Sequence, residues 1–564
     1  MHFLYRPLLA LAVLGSLPAP SGATTAASAP SIAWGACTDS WVGRVSPDLG
    51  DRLQCGSISV PFDHLAPDGR EMSVGVILVR ASEPSQREGS IFFNVGGPGE
   101  HPGKLLRSMG EVWSGMNTGD PDEVDKRRLS QRYDLVAVIP RGLSGSGELH
   151  CAPAVHTSHH AFLPTHLDDR NWQLLLDGTQ AAVDACTSIP EARYVNTEQH
   201  AHDMDTVRQV LGDDKLHFYG ISYGGMVGAW YASLYPSHTG RLLLDSTMDL
   251  MHGYRSAAYL SMVAQQRSFD ENVVAPLLRH PARYGLGNSS DAVASEIDDL
   301  PPRAREAWTG RVDSPVSLAA ALRLSEWLIE DSLLAKEAMM RRIDSTVFSH
   351  DVALDRRIRL KASQLAPLLY LQAATETGAE ASHVTEGEGD FVRVAMGCND
   401  FPWSRGEADI RESARRYAAR YFNFNGDQTL EELACTRWGG PRARRPDLSR
   451  LGLAAPFLLI QSEKDTSTPL VGAQHILREF ANARMLLVRG SDLHGVFNFT
   501  NSSCIERTAA HYLLTGDLPA PASRAFSCDD IFDRPVDALP GSHSSNAEPT
   551  AIDEPSDSTG HGEL

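Results

Sequence analysis

The sequence predicts an α/β fold: a mainly parallel sheet covered by helices, with a large, mostly helical domain inserted. Three observations predict it. Apolar strand-like runs alternate with helical patterns up to about residue 246, the rhythm of a parallel sheet whose crossovers are helices. From about 250 to 450 the strand signal stops, and segments such as "SLAAALRLSEWLIEDSLLAKEAMMRRI" (317–343) carry helix periodicity instead. Strand character then resumes near Ala455.

The N-terminal residues have the pattern of an export signal. His2 and Arg6 precede the short apolar run "PLLALAVLGSLPA" (7–19), and small residues follow, with cleavage expected after Ala23, Ala26 or Ala29. That run is shorter than the roughly 20 residues a membrane span needs, so no integral membrane span is expected and the mature chain is expected outside the cytoplasm, periplasmic or extracellular. The eight cysteines fit such an oxidising compartment. Eight cysteines admit about 105 pairings; pairing neighbours to close only short loops gives Cys37–Cys55, Cys151–Cys186, Cys398–Cys435 and Cys504–Cys528.

Candidate strands follow in order at 72–81, 90–97, 133–142, 215–222, 241–246, 456–465 and 483–491. The segment 197–212 predicts a helix that Thr197 can cap, with Met204, Val207 and Leu211 at helical spacing and Gly212 ending it. The expected organisation is a signal peptide at 1–29, core at 30–249, a helical cap domain at 250–450, core again at 451–536, and a disordered tail at 537–564. That tail is polar, acidic and poor in large apolar residues. A formal net charge of −20 disfavours nucleic acid as a partner. No metal is expected, since C-x-x-C is absent and "HTSHH" (156–160) has the character of a solvated loop.

One stretch carries chemistry. In "KLHFYGISYGGMVGAWYASLYP" (215–236) a strand runs into Gly220-x-Ser222-x-Gly224 and then a helix. This is the nucleophile-elbow pattern, in which a strained turn exposes a serine at the carboxyl edge of the sheet. "GLSGSG" (142–147) has no helix opening after it and predicts a loop. A hydroxyl needs a base and the base an orienting carboxylate. Asp465 follows one downstream strand and His494 the next, in the order Ser, Asp, His of the α/β-hydrolases. Asp245 and Asp249, after the strand that follows the elbow, compete with Asp465, while Glu463 and Asp492 have the character of solvated loop acids. The backbone N–H of Tyr223 is one oxyanion donor. The second comes from the glycine loop "FFNVGGPGEHPG" (92–103), with Gly97 the first choice and Gly96 the alternative.

Together "NVGGPG", "IPRGLSGSG", "NTEQHAHDMDTVRQVLG", "GISYGG", "LLLDSTMD" and "PFLLIQSEKDTSTP…GSDLHGV" resemble the proline iminopeptidase and tripeptidyl aminopeptidase branch of the α/β-hydrolases, over roughly residues 35–535. The resemblance implies an α/β-hydrolase fold and a serine peptidase without cofactor, acting on peptide substrates from the free amino end. Such an enzyme must hold an ammonium. Asp400 in "AMGCND" (395–400), which resembles an acidic position of the branch, and Glu100 beside the glycine loop are the candidates, a solvated surface acid being the alternative for each. The competing readings are a carboxylesterase with the same triad and a non-catalytic binding protein on a hydrolase fold.

Overall fold

The computed structural model describes residues 30–44, 48–67, 69–151, 166–332, 334–370, 388–519 and 523–528. The expected signal peptide, the acidic tail and "HTSHH" lie outside the described residues. The seven predicted runs all form strands, with ends shifted by up to four residues: β3 (Glu71–Val79), β4 (Gly89–Asn94), β5 (Tyr133–Val138), β6 (Leu216–Ile221), β7 (Thr239–Asp245), β8 (Phe457–Ser462) and β9 (Ala483–Val488). Three more were not anticipated, β1 (Ala33–Gly35), β2 (Leu53–Pro61) and β10 (Ala525–Phe526).

All ten belong to one sheet in the order β1-β2-β3-β5-β4-β6-β7-β8-β9-β10. β1, β2 and β3 are antiparallel to their neighbours, and from β5 across to β10 every pairing is parallel. The character of the residues follows the pairing. β4, β5 and β8 are buried at every position, as strands covered by helices on both faces must be, whereas β2 alternates toward solvent. Because these strands are parallel, the loops after β4, β6, β8 and β9 leave the sheet at one edge, where open α/β sheets bind ligands.

Between β7 and β8 the described chain is helical. It has a core of its own, built from residues such as Phe269, Leu277, Trp308, Leu324 and Ile358. Its last part behaves differently: Val392, Ala395, Met396 and Cys398 from helix Glu388–Asp400, and Cys435 from helix Asp427–Arg437, join the core around the sheet. In the opposite sense, helix Asp169–Thr187, which the sequence assigns to the core, packs Trp172, Leu175 and Leu176 against Ile410 and Leu433 of the insertion. The four neighbour-pairing disulfides all form. One helix start differs from expectation. Asn196, not Thr197, caps helix Thr197–Val210, its side chain accepting the Gln199 N–H, because the Thr197 hydroxyl is taken by Asp400 at 2.6 Å.

No helix among the described residues is long and apolar enough to cross a membrane.

Candidate active site

Ser222 stands between β6 and helix Tyr223–Leu234 with φ 58° and ψ −120°, a conformation that a residue with a Cβ adopts only where its surroundings impose it. Those surroundings are backbone. The Ser222 N–H donates to the Asp245 carbonyl at 3.0 Å, and the Ser222 carbonyl accepts from Gly225 N at 3.0 Å. A Cβ on Gly220 would lie 2.4 Å from the Gly224 carbonyl oxygen, and one on Gly224 would lie 2.3 Å from that of Asn94. Only glycine at both positions lets strand, turn and helix close so tightly.

Asp465 leaves the end of β8 and is 2% exposed. Its Oδ1 accepts the N–H groups of Ser467 and Thr468 at 2.8 and 3.0 Å, while Oδ2 accepts the Thr468 hydroxyl at 2.9 Å and faces His494 Nδ1 at 3.0 Å. The imidazole is thus held through Nδ1, which presents Nε2 to the other side. Its ring lines the same cavity as Ser222. The structure therefore brings Ser222, Asp465 and His494 to one edge of the sheet.

Asp245 has another task. It is fully buried, and its carboxylate accepts the N–H groups of Val496 and Phe497 at 2.8–3.0 Å. It anchors the loop that carries His494 rather than the ring itself. Burial raises its pKa to about 6 against those backbone hydrogen bonds. Asp249 does not reach His494 either; its Oδ2 lies 2.7 Å from Nδ1 of both His252 and His475. Among the described residues these three form the group whose donor atoms are close enough for a metal ion. The trio lines neither cavity at Ser222.

The two glycines expected as alternatives for the second oxyanion donor separate by hydrogen bonding. Gly96 donates its N–H to Asn94 Oδ1 at 2.9 Å and packs so closely on the elbow that a Cβ would lie 2.9 Å from Tyr223 N. Gly97 faces both cavities at Ser222, which leaves its N–H as the donor to consider beside that of Tyr223.

Asp400 is corrected as an ammonium receptor. It is 1% exposed, and its oxygens accept from the Thr197 N–H at 2.9 Å, the Thr197 hydroxyl at 2.6 Å and the Tyr223 hydroxyl at 2.6 Å. It clamps the elbow helix to the insertion from behind. Burial, opposed by those hydrogen bonds, lifts its pKa to about 6.

Two cavities open from Ser222, sharing Gly97, Ser261 and Ser467. The first, of about 240 Å³, runs under the insertion past Tyr223, Met248, Tyr254 and Thr468 to Arg393, Asp427 and Glu431. The Glu431 carboxylate is buried, and its Oε1 pairs with the Arg393 guanidinium at 3.2 Å. Burial pushes its pKa to about 7, against the pull of Arg393. The second cavity, of about 470 Å³, contains His494, Glu100 and the apolar side chains Val95, Leu105, Ile221 and Phe499. Glu100 therefore lies on the His494 side, away from Glu431.

Sequence reasoning missed Glu431, Arg393 and Tyr254. "DQTLEELACTR" has the character of an acidic solvated face, and the one signal was Cys435, four residues beyond Glu431 and disulfide-bonded to Cys398.

The family model described as TAP-like protein matches residues 421–527, a span that includes Glu431, Asp465 and His494. Tripeptidyl aminopeptidase of Streptomyces coelicolor is 25% identical over 507 residues, covering 87% of this chain and 85% of that protein. Serine protease Hip1 of Mycobacterium tuberculosis is 24% identical over 500 residues, 83% and 86% of the two chains. Carboxylesterase B of Mycobacterium tuberculosis is 24% identical over 539 residues, 92% and 95%. The chain is a serine hydrolase of the α/β-hydrolase fold, similar over most of its length to tripeptidyl aminopeptidases.

Proposed function

We propose that this chain is an exported serine aminopeptidase that releases proline or a short peptide from the free amino end of peptide substrates. The observation that carries the reading is the cavity at Ser222 that ends on acids. That cavity runs from Ser222 to Asp427 and Glu431, one turn apart on helix Asp427–Arg437, which supports a substrate whose amino-terminal side extends toward them from a carbonyl at Ser222. Asp427 and Glu431 together outnumber the Arg393 guanidinium that pairs with Glu431 Oε1 at 3.2 Å, so this end of the cavity keeps a net negative charge that suits an ammonium. The names of the relatives, tripeptidyl aminopeptidase and serine protease, point the same way. The four disulfides fit an oxidising compartment.

The chemistry is acyl transfer. His494 Nε2 takes the Ser222 proton as Oγ bonds to the carbonyl carbon, and Asp465 holds the imidazolium that results. The N–H groups of Tyr223 and Gly97 receive the oxyanion. His494 then gives its proton to the leaving nitrogen as the C–N bond breaks, and afterwards activates the water that frees Ser222.

Ser222→Ala is expected to abolish labelling by a fluorophosphonate probe while circular dichroism stays unchanged; labelling that persists removes Ser222 from the mechanism. Acetylating the amino group of a peptide substrate is expected to lower kcat/KM by orders of magnitude, and equal cleavage of blocked and free peptides excludes amine recognition. The similarity to carboxylesterase B favours an esterase as the second reading. Efficient turnover of p-nitrophenyl acetate with none of amino-terminal p-nitroanilides decides for it.

A further inference from the structure

We propose that the second cavity is the subsite for the leaving peptide and that it selects an apolar residue immediately after the scissile bond. This rests on the peptidase reading and adds the other half of its specificity.

Orientation comes first. The imidazole that takes the Ser222 proton must hand one to the leaving nitrogen, so the leaving peptide lies on the side where the ring can reach it. His494 is in the wall of the second cavity and absent from that of the first. The acids that suit an amino terminus show the reverse placement, since Asp427 and Glu431 line only the first. Two independent features, a general acid on one side and an ammonium receptor on the other, thus give the same direction of substrate through Ser222.

The walls then indicate what the subsite takes. Val95, Leu105, Ile221 and Phe499 present apolar surface. Phe499 is 49% exposed, and Leu493, next to the catalytic histidine, is 39% exposed. Large apolar side chains left wet beside a nucleophile gain by covering, and a substrate side chain that covers them is bound through the area it removes from water. The carboxylate among the lining residues is Glu100, exposed at the end of the glycine loop. It opposes an acidic residue in this position by like-charge repulsion. The expected order after the scissile bond is Leu or Phe, then Ala, then Gly, with Asp last.

The test holds the best N-terminal unit from a p-nitroanilide panel fixed and follows it with Leu, Phe, Ala, Gly or Asp in a peptide amide. Release of the C-terminal fragment is read by mass spectrometry. The wild-type enzyme is expected to show kcat/KM at least about tenfold higher for Leu than for Gly. Phe499→Ser is expected to bring that ratio within about twofold. Glu100→Gln is expected to raise the Asp peptide several-fold relative to the Gly peptide. Fluorophosphonate labelling checks that each variant keeps a folded site. Ready cleavage with equal rates for all five residues, or a preference for Asp, overturns the subsite alone. Absence of any peptide cleavage with labelling intact overturns the peptidase reading, and the subsite with it.

Discussion

At the scale of the residue, burial gives neighbouring acids opposite tasks. Asp400 and Glu431 are both buried acids of the insertion with raised pKa values. Asp400 is saturated by Thr197 and Tyr223 away from the cavity, whereas Glu431, paired through Oε1 with Arg393 at 3.2 Å, lines the cavity at Ser222. The first is a clamp and the second an acceptor. With its pKa pushed to about 7, Glu431 binds an ammonium well only when ionised, so the affinity for free-amine substrates is expected to rise as pH increases through about 7. Glu431→Gln removes the charge. Its KM is expected to be about tenfold or more above wild type at pH 8 and to lose that rise, while acetylated substrates respond little. Michaelis profiles at several pH values check this, and a variant whose KM keeps the wild-type pH dependence removes Glu431 from amine binding. The convergence of Ser222, Asp465 and His494, the proposed triad, was legible because each follows an apolar strand, and strand ends of a parallel sheet share an edge. Glu431 was not, because its neighbourhood comes from helices brought over Ser222 in three dimensions, and nothing in "LEEL" separates a buried acid from a wet one.

At the scale of the element, legibility followed pairing in the same way. The parallel strands β4 to β9 each carry a run of consecutive apolar residues, such as Leu242–Leu244 and Leu458–Ile460. β2 mixes Gly56, Ser57, Ser59 and Pro61 into its nine residues, and it holds its place by pairing with β3 along its whole length, information that lies in the partner. The helix pair that lines the acid end of the first cavity shows how covalent structure supports a site. Helix Glu388–Asp400 carries Arg393 and Asp400, helix Asp427–Arg437 carries Asp427 and Glu431, and Cys398–Cys435 ties them together. A crosslink at a sequence separation of 37 restricts the unfolded chain by about 4 kcal/mol in the chain-entropy account. Replacing both cysteines by serine is expected to lower the unfolding midpoint and raise KM for free-amine peptides several-fold. The rate of fluorophosphonate labelling should stay within about twofold, because the triad sits on the sheet. A parallel loss of labelling rate and affinity counts against this separation of roles.

At the scale of the whole molecule, burial of ionisable groups acts in two opposed directions over one pH range. Asp245 and Asp400 are raised to about 6 and Glu431 to about 7, in each case chiefly by burial. Burial lowers His200, His202 and His217 to about 4. An acid with a raised folded pKa contributes stability that is complete below its unfolded value and is lost as pH rises through the folded one. For Asp400 that window runs from 3.8 to about 6. A histidine with a depressed folded pKa contributes stability present above its unfolded value of 6.5 and lost as pH falls toward about 4. The slopes are opposite and the windows overlap, so each set masks the other in the wild-type profile and single replacements reveal them. The stability of Asp400→Asn relative to wild type is expected to rise by about 3 kcal/mol between pH 4 and pH 7, at about 1.4 kcal/mol per pK unit. That of His217→Gln relative to wild type should fall over the same range, since the protein with its neutral imidazole, which accepts the Arg241 N–H at 3.0 Å, gains stability as the unfolded chain loses its proton. Denaturant unfolding at four pH values measures both differences. Curves for Asp400→Asn that run parallel to wild type would mean that its carboxyl titrates as in water, and the clamp behind the nucleophile elbow would then have no physical basis.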